Sequence, residues 1–187
     1  MSATAREPGE IAVRALARSD LDAYRALRLR GLAEHPEAFT SDAGEEAAKP
    51  PDALAKRLAP DAEHPHDAVF GAFDGATLVG VCGIDVDIRV KLRHKGHVFG
   101  LYVPAERAGR GIGRALVDAV IAHASATPGL RQLVLTATAG NDAARRVYER
   151  AGFAVCGREP EAIRIDGRGH DKITMVLFLP AARASHP

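Results

Sequence analysis

The sequence lacks the features that mark several large classes of protein. Its 187 residues include no tryptophan and only two cysteines, and 25 Lys and Arg residues balance 24 Asp and Glu residues. This balance leaves almost no net charge that would attract nucleic acid or an anionic membrane. No apolar run approaches the roughly 18 residues of a membrane helix, and residues 1–10 lack the apolar segment of a secretory leader. We therefore expect a cytoplasmic protein without nucleic-acid or membrane partners.

The two cysteines and the length of the chain limit its organisation. Cys82 and Cys156 are far apart in the sequence, which favours reduced thiols in the core over a disulfide framework or a zinc site. A domain of this size buries about 70% of its unfolded surface, so one core suffices. We expect a single domain over 1–187, with a core of about 11–180 and short flexible tails.

The first third of the chain predicts one strand and two helices. Alternation from Ile11 to Ala15 indicates a half-buried strand, after which Ser19 or Asp20 can cap a helix. In that helix, apolar residues share one face, and three arginines are expected to turn mostly to water: Arg25, Arg28 and Arg30. The polar segment 33–66 is punctuated by prolines and predicts one short helix near 52–58.

The rest of the chain predicts six strands and two helices. A hairpin begins at Ala68 and turns at Asp74-Gly75, and a strand then runs from His97 to Val103 before Pro104. A helix, a strand, a second helix and a hairpin turning at Asp166-Gly167 follow. The resulting order, β, α, α, β, β, β, α, β, α, β, β, predicts an α/β protein with a central mixed sheet of six to seven strands flanked by helices.

A glycine-rich run from Arg107 to Leu116 reads R-A-G-R-G-I-G-R-A-L and opens directly into the first of those helices. Unpaired backbone N–H groups at a helix start, without Cβ atoms to block approach, bind phosphate. The run is not a P-loop, because no Gly-Lys-Ser or Gly-Lys-Thr occurs in the chain. It is not a dinucleotide fingerprint either, because Arg114 and Leu116 stand where glycines are needed.

What remains, R-x-G-x-G-x-G-R-A-L after a strand ending L-Y-V, resembles the acetyl-coenzyme A loop of the GNAT (GCN5-related N-acetyltransferase) family. The predicted order of elements is also that of the GNAT fold. The resemblance implies direct transfer of an acetyl group from acetyl-CoA to a primary amine in a ternary complex, without a metal. It places the coenzyme against the loop and against backbone N–H groups of the preceding strand: Leu101, Tyr102, Val103, Ala108, Gly109, Arg110, Gly111, Ile112, Gly113 and Arg114.

A second motif supports the resemblance. The segment T-A-G-N-D-A-A-R-R-V-Y-E-R-A-G-F, residues 138–153, is similar to the one that closes the coenzyme site in the family. By that resemblance, Asn141 contacts the pantetheine arm and Ala144 leaves room beside it. Tyr148 points its hydroxyl at the coenzyme sulfur and, being protonated at neutral pH, can return a proton to the departing thiolate.

Two departures from the family pattern leave roles open. The side-chain anchor at the first position of the loop is replaced by Ala108, with Arg107 one residue early, and no Glu occurs between residues 64 and 105 to act as base. His97 is the first substitute as general base, with three alternatives on nearby segments: Asp85, Asp87 and His94. His94 and His97 also form an H-x-x-H pair, but on a strand this spacing points the two rings to opposite faces and makes a metal improbable.

Other charged residues allow two interpretations each. Three arginines, Arg145, Arg146 and Arg150, either clamp the 3′-phosphate of coenzyme A or form a solvated helix face, whereas Arg110 and Arg114 are better placed for the pyrophosphate. Glu34, Glu45 and Glu46 either bind a cationic amine or are ordinary exposed carboxylates.

The acceptor, a small-molecule or peptide amine, is not specified by the sequence, and an exposed sheet edge could support a homodimer. The alternative functions are a non-catalytic acetyl-CoA sensor and a structural domain without a ligand.

Overall fold

The computed structural model describes residues 10–59 and 61–180, so the two predicted tails fall almost wholly outside the described residues. Seven strands are found there: β1 (Ile11–Ala15), β2 (Ala68–Asp74), β3 (Thr77–Val86), β4 (Lys95–Tyr102), β5 (Gln132–Thr138), β6 (Ala154–Ile165) and β7 (Arg168–Phe178). Five α-helices accompany them: α1 (Leu21–Glu34), α2 (Ala43–Ala48), α3 (Pro51–Ala55), α4 (Ile112–Ala126) and α5 (Asp142–Arg150). None of these helices has the length and apolar character needed to cross a membrane.

The strands form one sheet in the order β1-β2-β3-β4-β5-β7-β6. All neighbouring strands are antiparallel except β4 and β5, which are parallel. The parallel pair is connected through α4, as a parallel connection requires. The predicted mixed sheet flanked by helices is therefore confirmed.

β4 and β5 diverge along their length, and this feature positions the site. They pair only over three residues, the last pair being His97 with Val134. Beyond it β5 pairs with β7 as far as Thr138, while β4 follows β3 to Tyr102 through an irregular register. Gly100 in this part of β4 has a φ of +66°, a left-handed conformation that L side chains rarely adopt. A gap therefore opens between the carboxyl-terminal halves of the two central strands.

The two faces of the sheet carry separate cores. One core packs α4 and α5 against the sheet and includes Leu116, Val120, Leu133 and Met175, which are completely buried. The other packs α1 and the region of α3 against β2, β3 and β4, through residues such as Tyr24, Leu54 and Tyr102. The gap between β4 and β5 therefore connects two differently built sides of the molecule.

The structure corrects predictions about the segment after β1. The helix predicted near 52–58 is present as α3 followed by a 3-10 turn, Lys56–Leu58, but the segment contains a second short helix, α2, that was not predicted. The Asp42 carboxylate caps α2 by accepting from the N–H groups of Gly44 and Glu45. The predicted side-chain cap of α1 is wrong. The Asp20 carboxylate instead accepts from the Ala17 N–H and from Arg14.

Two predictions of burial are also wrong. Arg28 is buried rather than turned to water, because it ion-pairs with the completely buried Glu46. Cys156 is exposed on β6, the last strand at its edge of the sheet, whereas Cys82 is buried in the core as expected.

We expect Leu116→Ala to lower the free energy of unfolding by about 2 to 5 kcal/mol, because Leu116 is fully buried between α4 and the sheet and truncation leaves a cavity. Urea denaturation followed by circular dichroism measures this difference. Val90→Ala is the control, because Val90 is 76% exposed and its truncation should change stability by less than about 0.5 kcal/mol. Equal losses in the two variants would contradict this assignment of the core.

Candidate functional site

The glycine run forms an open backbone surface at the start of α4. Gly109 and Gly111 have φ values of 76° and 75°, and a Cβ atom added at either would meet nothing within 4 Å. Gly111 is also the N-cap of α4, and its carbonyl accepts the N–H of Ala115 at 3.0 Å. The backbone N–H groups of residues 112–114 precede that bond and have no acceptor within the helix. This surface can donate several hydrogen bonds to an anion, with the helix dipole in support.

The arginines of the loop have protein partners. Arg107 Nη1 lies 2.6 Å from Asp74 Oδ2 at the end of β2, so this early arginine anchors the loop to the sheet. Arg110 Nη1 lies 3.5 Å from the same carboxylate oxygen. Arg114 donates to Asp118 at 2.8 Å and to the Arg150 carbonyl at 2.6 Å. An anion at the loop therefore competes with Asp74 and Asp118 for the side chains of Arg110 and Arg114.

Within the loop, Ala108 is exposed, whereas Ile112 is 2% exposed and holds the first turn of α4 in the core. Gly113 faces α5, since a Cβ added there would lie 3.8 Å from Val147 Cγ2. The loop is thus fixed on one side and open on the other.

The last residues of β4 form one wall of the gap. Leu101 and Val103 pack towards the core beneath α4, and Tyr102 packs towards α1. The Tyr102 hydroxyl donates to Glu34 Oε2 at 2.6 Å, and burial together with this bond raises the pKa of Tyr102. The three side chains are therefore used in packing, which leaves the backbone as the part of this wall that faces the gap.

α5 brings the second motif beside the loop. Asn141 is its N-cap and accepts the Ala144 N–H at 3.1 Å, as its position in the sequence predicts. Tyr148 is 6% exposed and packs edge-on against Phe153, with ring centroids 5.9 Å apart. Gly152, with a φ of +100°, allows the chain to turn back after α5 so that Phe153 contacts Tyr148. Burial, and next the nearby Cys82 thiol, raise the pKa of Tyr148, so its hydroxyl stays protonated at neutral pH.

The candidate bases separate into two places. His97 is exposed on β4, and Asp85 is its partner on β3. Burial, followed by the Asp67 carboxylate, raises the pKa of Asp85. Paired residues share a sheet face, and His97 lies three residues, about 10 Å, from Gly100. His97 therefore lies closer to the gap than the amino-terminal end of β4 does.

Asp87 and His94 line a cavity of about 750 Å³ beside Val90 and Pro128, at the end of the sheet away from the glycine loop. Arg89 holds the pKa of Asp87 at about 2, which makes this carboxylate a poor base. His94 precedes β4 rather than lying on it, so the strand argument about the H-x-x-H pair does not apply. No cluster of three metal-ligating side chains is found in residues 10–59 and 61–180.

A second cavity, of about 550 Å³, lies between the 3-10 turn Pro36–Ala38 and the β6–β7 turn, where Arg168 and His170 line it. The turn is held by the buried Lys172, whose Nζ donates to the Ala38 carbonyl at 3.1 Å and to Thr138 Oγ1 at 2.8 Å. Burial lowers the pKa of Lys172. The burial of Lys172 was not predictable from the sequence, because its acceptors lie on other elements of the fold.

The remaining charged candidates are the arginines of α5 and three glutamates, and most of them are exposed or paired with a neighbouring side chain. Arg145, Arg146 and Arg150 are exposed on α5, and Arg145 pairs with Glu149 at 2.7 Å. Glu34 pairs with Arg30, and Glu45 is exposed. Glu46 is neither exposed nor open to a cationic amine, because Lys49 and Arg28 already bind it.

Comparison with known proteins agrees with the geometry. The family model described as Acetyltransferase (GNAT) family matches residues 30–153. Mycothiol acetyltransferase from Propionibacterium freudenreichii subsp. shermanii is 31% identical over 136 residues, which cover 73% of this chain and 40% of that protein. The chain therefore spans less than half the length of this curated relative.

Solved structures show the same fold. An acetyltransferase of the GNAT family from Streptococcus pneumoniae has a TM-score of 0.79 at 23% identity, over 91% of this chain and all of that one. The putative acetyltransferase yncA from Salmonella typhimurium, solved with its cofactor acetyl-CoA, has a TM-score of 0.73 at 20% identity, over 94% of this chain and 98% of that one. With the family model matching most of its length, this chain belongs to the GNAT family of acetyltransferases.

Proposed function

We propose that this protein transfers the acetyl group of acetyl-CoA to a primary amine by direct attack in a ternary complex. The observation that carries the proposal is the open backbone surface of residues 109–114, at the end of α4 that borders the gap between β4 and β5. A pyrophosphate on this surface directs the rest of an extended coenzyme into the gap. A small-molecule or peptide amine then approaches from the α1 side, where the 550 Å³ cavity lies.

The residues present fit acetyl-CoA. Amides of the first turn of α4 bind the pyrophosphate, and Arg110 and Arg114 exchange their carboxylate partners for phosphate oxygens. Ala108 provides no side-chain anchor but leaves room for the chain of amides. The gap-facing backbone of Leu101, Tyr102 and Val103 and the helix bearing Asn141, Ala144 and Tyr148 form the two walls for the pantetheine arm.

The chain supplies three functions for the transfer. The neutral amine forms a C–N bond to the acetyl carbon, and the C–S bond breaks in the same overall exchange. Backbone N–H groups of β4 stabilise the oxygen that gains negative charge. His97 accepts the proton that the amine loses, and Tyr148 donates its proton to the departing thiolate and recovers one from solvent. Cys82 takes no part as a nucleophile, because burial raises the pKa of its thiol to about 12.

A sensor that binds acetyl-CoA without turnover is the second candidate, since no glutamate lies on β4 and Ala108 replaces the usual anchor. Thermal shift with acetyl-CoA, followed by thiol release across an amine panel, separates the two. The enzyme gives both signals, and the sensor gives only the first. We keep the expectations of a single cytoplasmic domain and a possible homodimer as parts of this proposal.

Gly111→Ala should weaken acetyl-CoA binding at least tenfold, because the added methyl group enters the space where the anion meets the amides. Isothermal titration calorimetry measures this. Gly129→Ala is the matched control, since Gly129 has a φ of +81° and no atoms near its Cβ position, and it lies at the other end of α4. Each variant should lose about 1 to 2 kcal/mol of stability through backbone strain. Equal coenzyme affinities in the two variants would remove the loop from the site.

Tyr148→Phe should lower kcat about 100-fold while leaving the Kd of acetyl-CoA within twofold, because only the hydroxyl that protonates the thiolate is removed. The ring and its contact with Phe153 remain. Steady-state thiol release measures kcat, and Tyr24→Phe, a buried tyrosine in the other core, should retain full activity. An unchanged kcat in Tyr148→Phe would exclude the tyrosine as proton donor.

His97→Gln should lower kcat at saturating amine at least tenfold, because glutamine cannot accept the proton that the amine loses. Steady-state thiol release measures kcat. His123→Gln, a substitution on α4 where the ring bonds to the His66 carbonyl, is the control and should keep the wild-type kcat. An unchanged kcat in His97→Gln would mean that another group is the base.

A further inference from the structure

Arg28 lies directly beneath the irregular part of β4. α1 packs so closely there that a Cβ on Gly31 would be 2.8 Å from the Tyr102 ring. Arg28, one turn earlier, is 8% exposed, and its Nη1 would be 3.5 Å from a Cβ on Gly100. Its Nε donates to Glu46 and its Nη2 to Ser41 Oγ. The hydrogen bonds found in the described residues thus leave Nη1 unused, beside the residue at which β4 leaves regular pairing.

The charges around Arg28 do not cancel. The completely buried Glu46 is approached by Lys49 Nζ at 2.7 Å, by Arg28 Nε at 3.3 Å and by Arg57 Nη1 at 3.6 Å. One carboxylate therefore serves three cations. Arg57 Nη1 is buried without a hydrogen-bond partner among the described residues.

The position of Arg57 connects this cluster to the candidate site. Its guanidinium lies over the Phe99 ring, 5.7 Å from the centroid, and Phe99 directly precedes Gly100. Asp85, an exposed carboxylate on β3, also interacts electrostatically with Arg57, so three cations face two carboxylates. Two guanidinium groups with unused donors therefore flank residues 99–100 of β4 on the α1 side, in an environment with excess positive charge.

We propose that Arg28 and Arg57 receive an anionic group on the acceptor, so that the substrate class is amines bearing a carboxylate close to the amino group. This inference rests on the proposed function, since it deepens the acceptor side of the same site. A guanidinium fork matches a carboxylate in shape, and the low exposure of Arg28 makes its charge-assisted bonds stronger than at the surface. A cationic polyamine would instead meet like charge at this position and be disfavoured.

Bisubstrate conjugates test the proposal without requiring turnover. In these compounds the sulfur of coenzyme A is joined through –CH2–CO– to the nitrogen of glycine or of glycinamide. The two conjugates differ only in a carboxylate against a neutral amide. Isothermal titration calorimetry should show the glycine conjugate binding about 10- to 100-fold more tightly than the glycinamide conjugate. Equal affinities of the two conjugates would overturn the proposal.

Two variants assign the effect to these arginines. The double variant Arg28→Gln/Glu46→Gln removes both charges of the buried pair, so neither Arg28 nor Glu46 is left charged without the other. It should reduce the preference for the glycine conjugate to less than threefold. Arg57→Gln keeps the Arg28–Glu46 pair and should reduce the preference at least threefold. Arg89→Gln, which alters an arginine with 72% side-chain exposure, should keep the wild-type preference. Thermal melts verify that each variant is folded.

The outcomes separate this proposal from the proposed function. If acetyl-CoA and the glycinamide conjugate bind but the carboxylate adds nothing, the acceptor class is wrong and the coenzyme site stands. If neither conjugate nor acetyl-CoA binds, the proposed function itself fails. If the carboxylate preference survives in both arginine variants, Arg28 and Arg57 are not its source and the proposal is wrong.

Discussion

The divergence of β4 from β5 is the constraint on which the rest of the site depends. Parallel strands normally satisfy each other's amides, and here pairing stops at His97 and Val134 although both strands continue. β5 cannot follow β4, because β7 binds it along its whole length. β4 cannot follow β5, because it stays paired with β3 across the bend at Gly100. Backbone groups facing the gap then lack sheet partners, and such groups are costly unless water or a ligand satisfies them.

The two sides of this gap are built by different physical means. On the α4 side, fully buried aliphatic residues such as Leu116 and Val120 hold the helix whose first amides face outward. On the α1 side, the contact includes the buried pair of Arg28 and Glu46. Desolvation cancels much of the attraction within such a pair, so well-packed apolar residues would stabilise the fold as well. Net stability therefore does not require charge at this position, which agrees with the anion-binding role proposed for Arg28.

The sequence was sufficient for the parts of the structure that depend on local patterns. Apolar alternation and the turns at Asp74-Gly75 and Asp166-Gly167 predicted the strands, and the glycine run and Asn141 predicted the starts of α4 and α5. Burial of charge was not predictable. Arg28 occupies a polar position in the helical pattern, and its partner Glu46 is 18 residues away on a helix that the proline-rich segment concealed. Lys172 was missed for the same reason, because its acceptors lie on other elements of the fold.

A network of side chains connects the α1 side of β4 to the glycine loop. The Tyr102 hydroxyl donates to Glu34, Arg30 bonds to Glu34 at 2.7 Å, and the same guanidinium binds both oxygens of Glu106 in the turn before the loop. Exposed ion pairs add little stability one at a time. Here they orient two elements, because the bidentate contact with Glu106 and the bond from Tyr102 fix the end of α1 relative to the end of β4. Since the loop begins at that same end, the network fixes the first amides of α4 and the helix that bears Arg28 relative to each other, as the proposed reaction between two bound substrates requires.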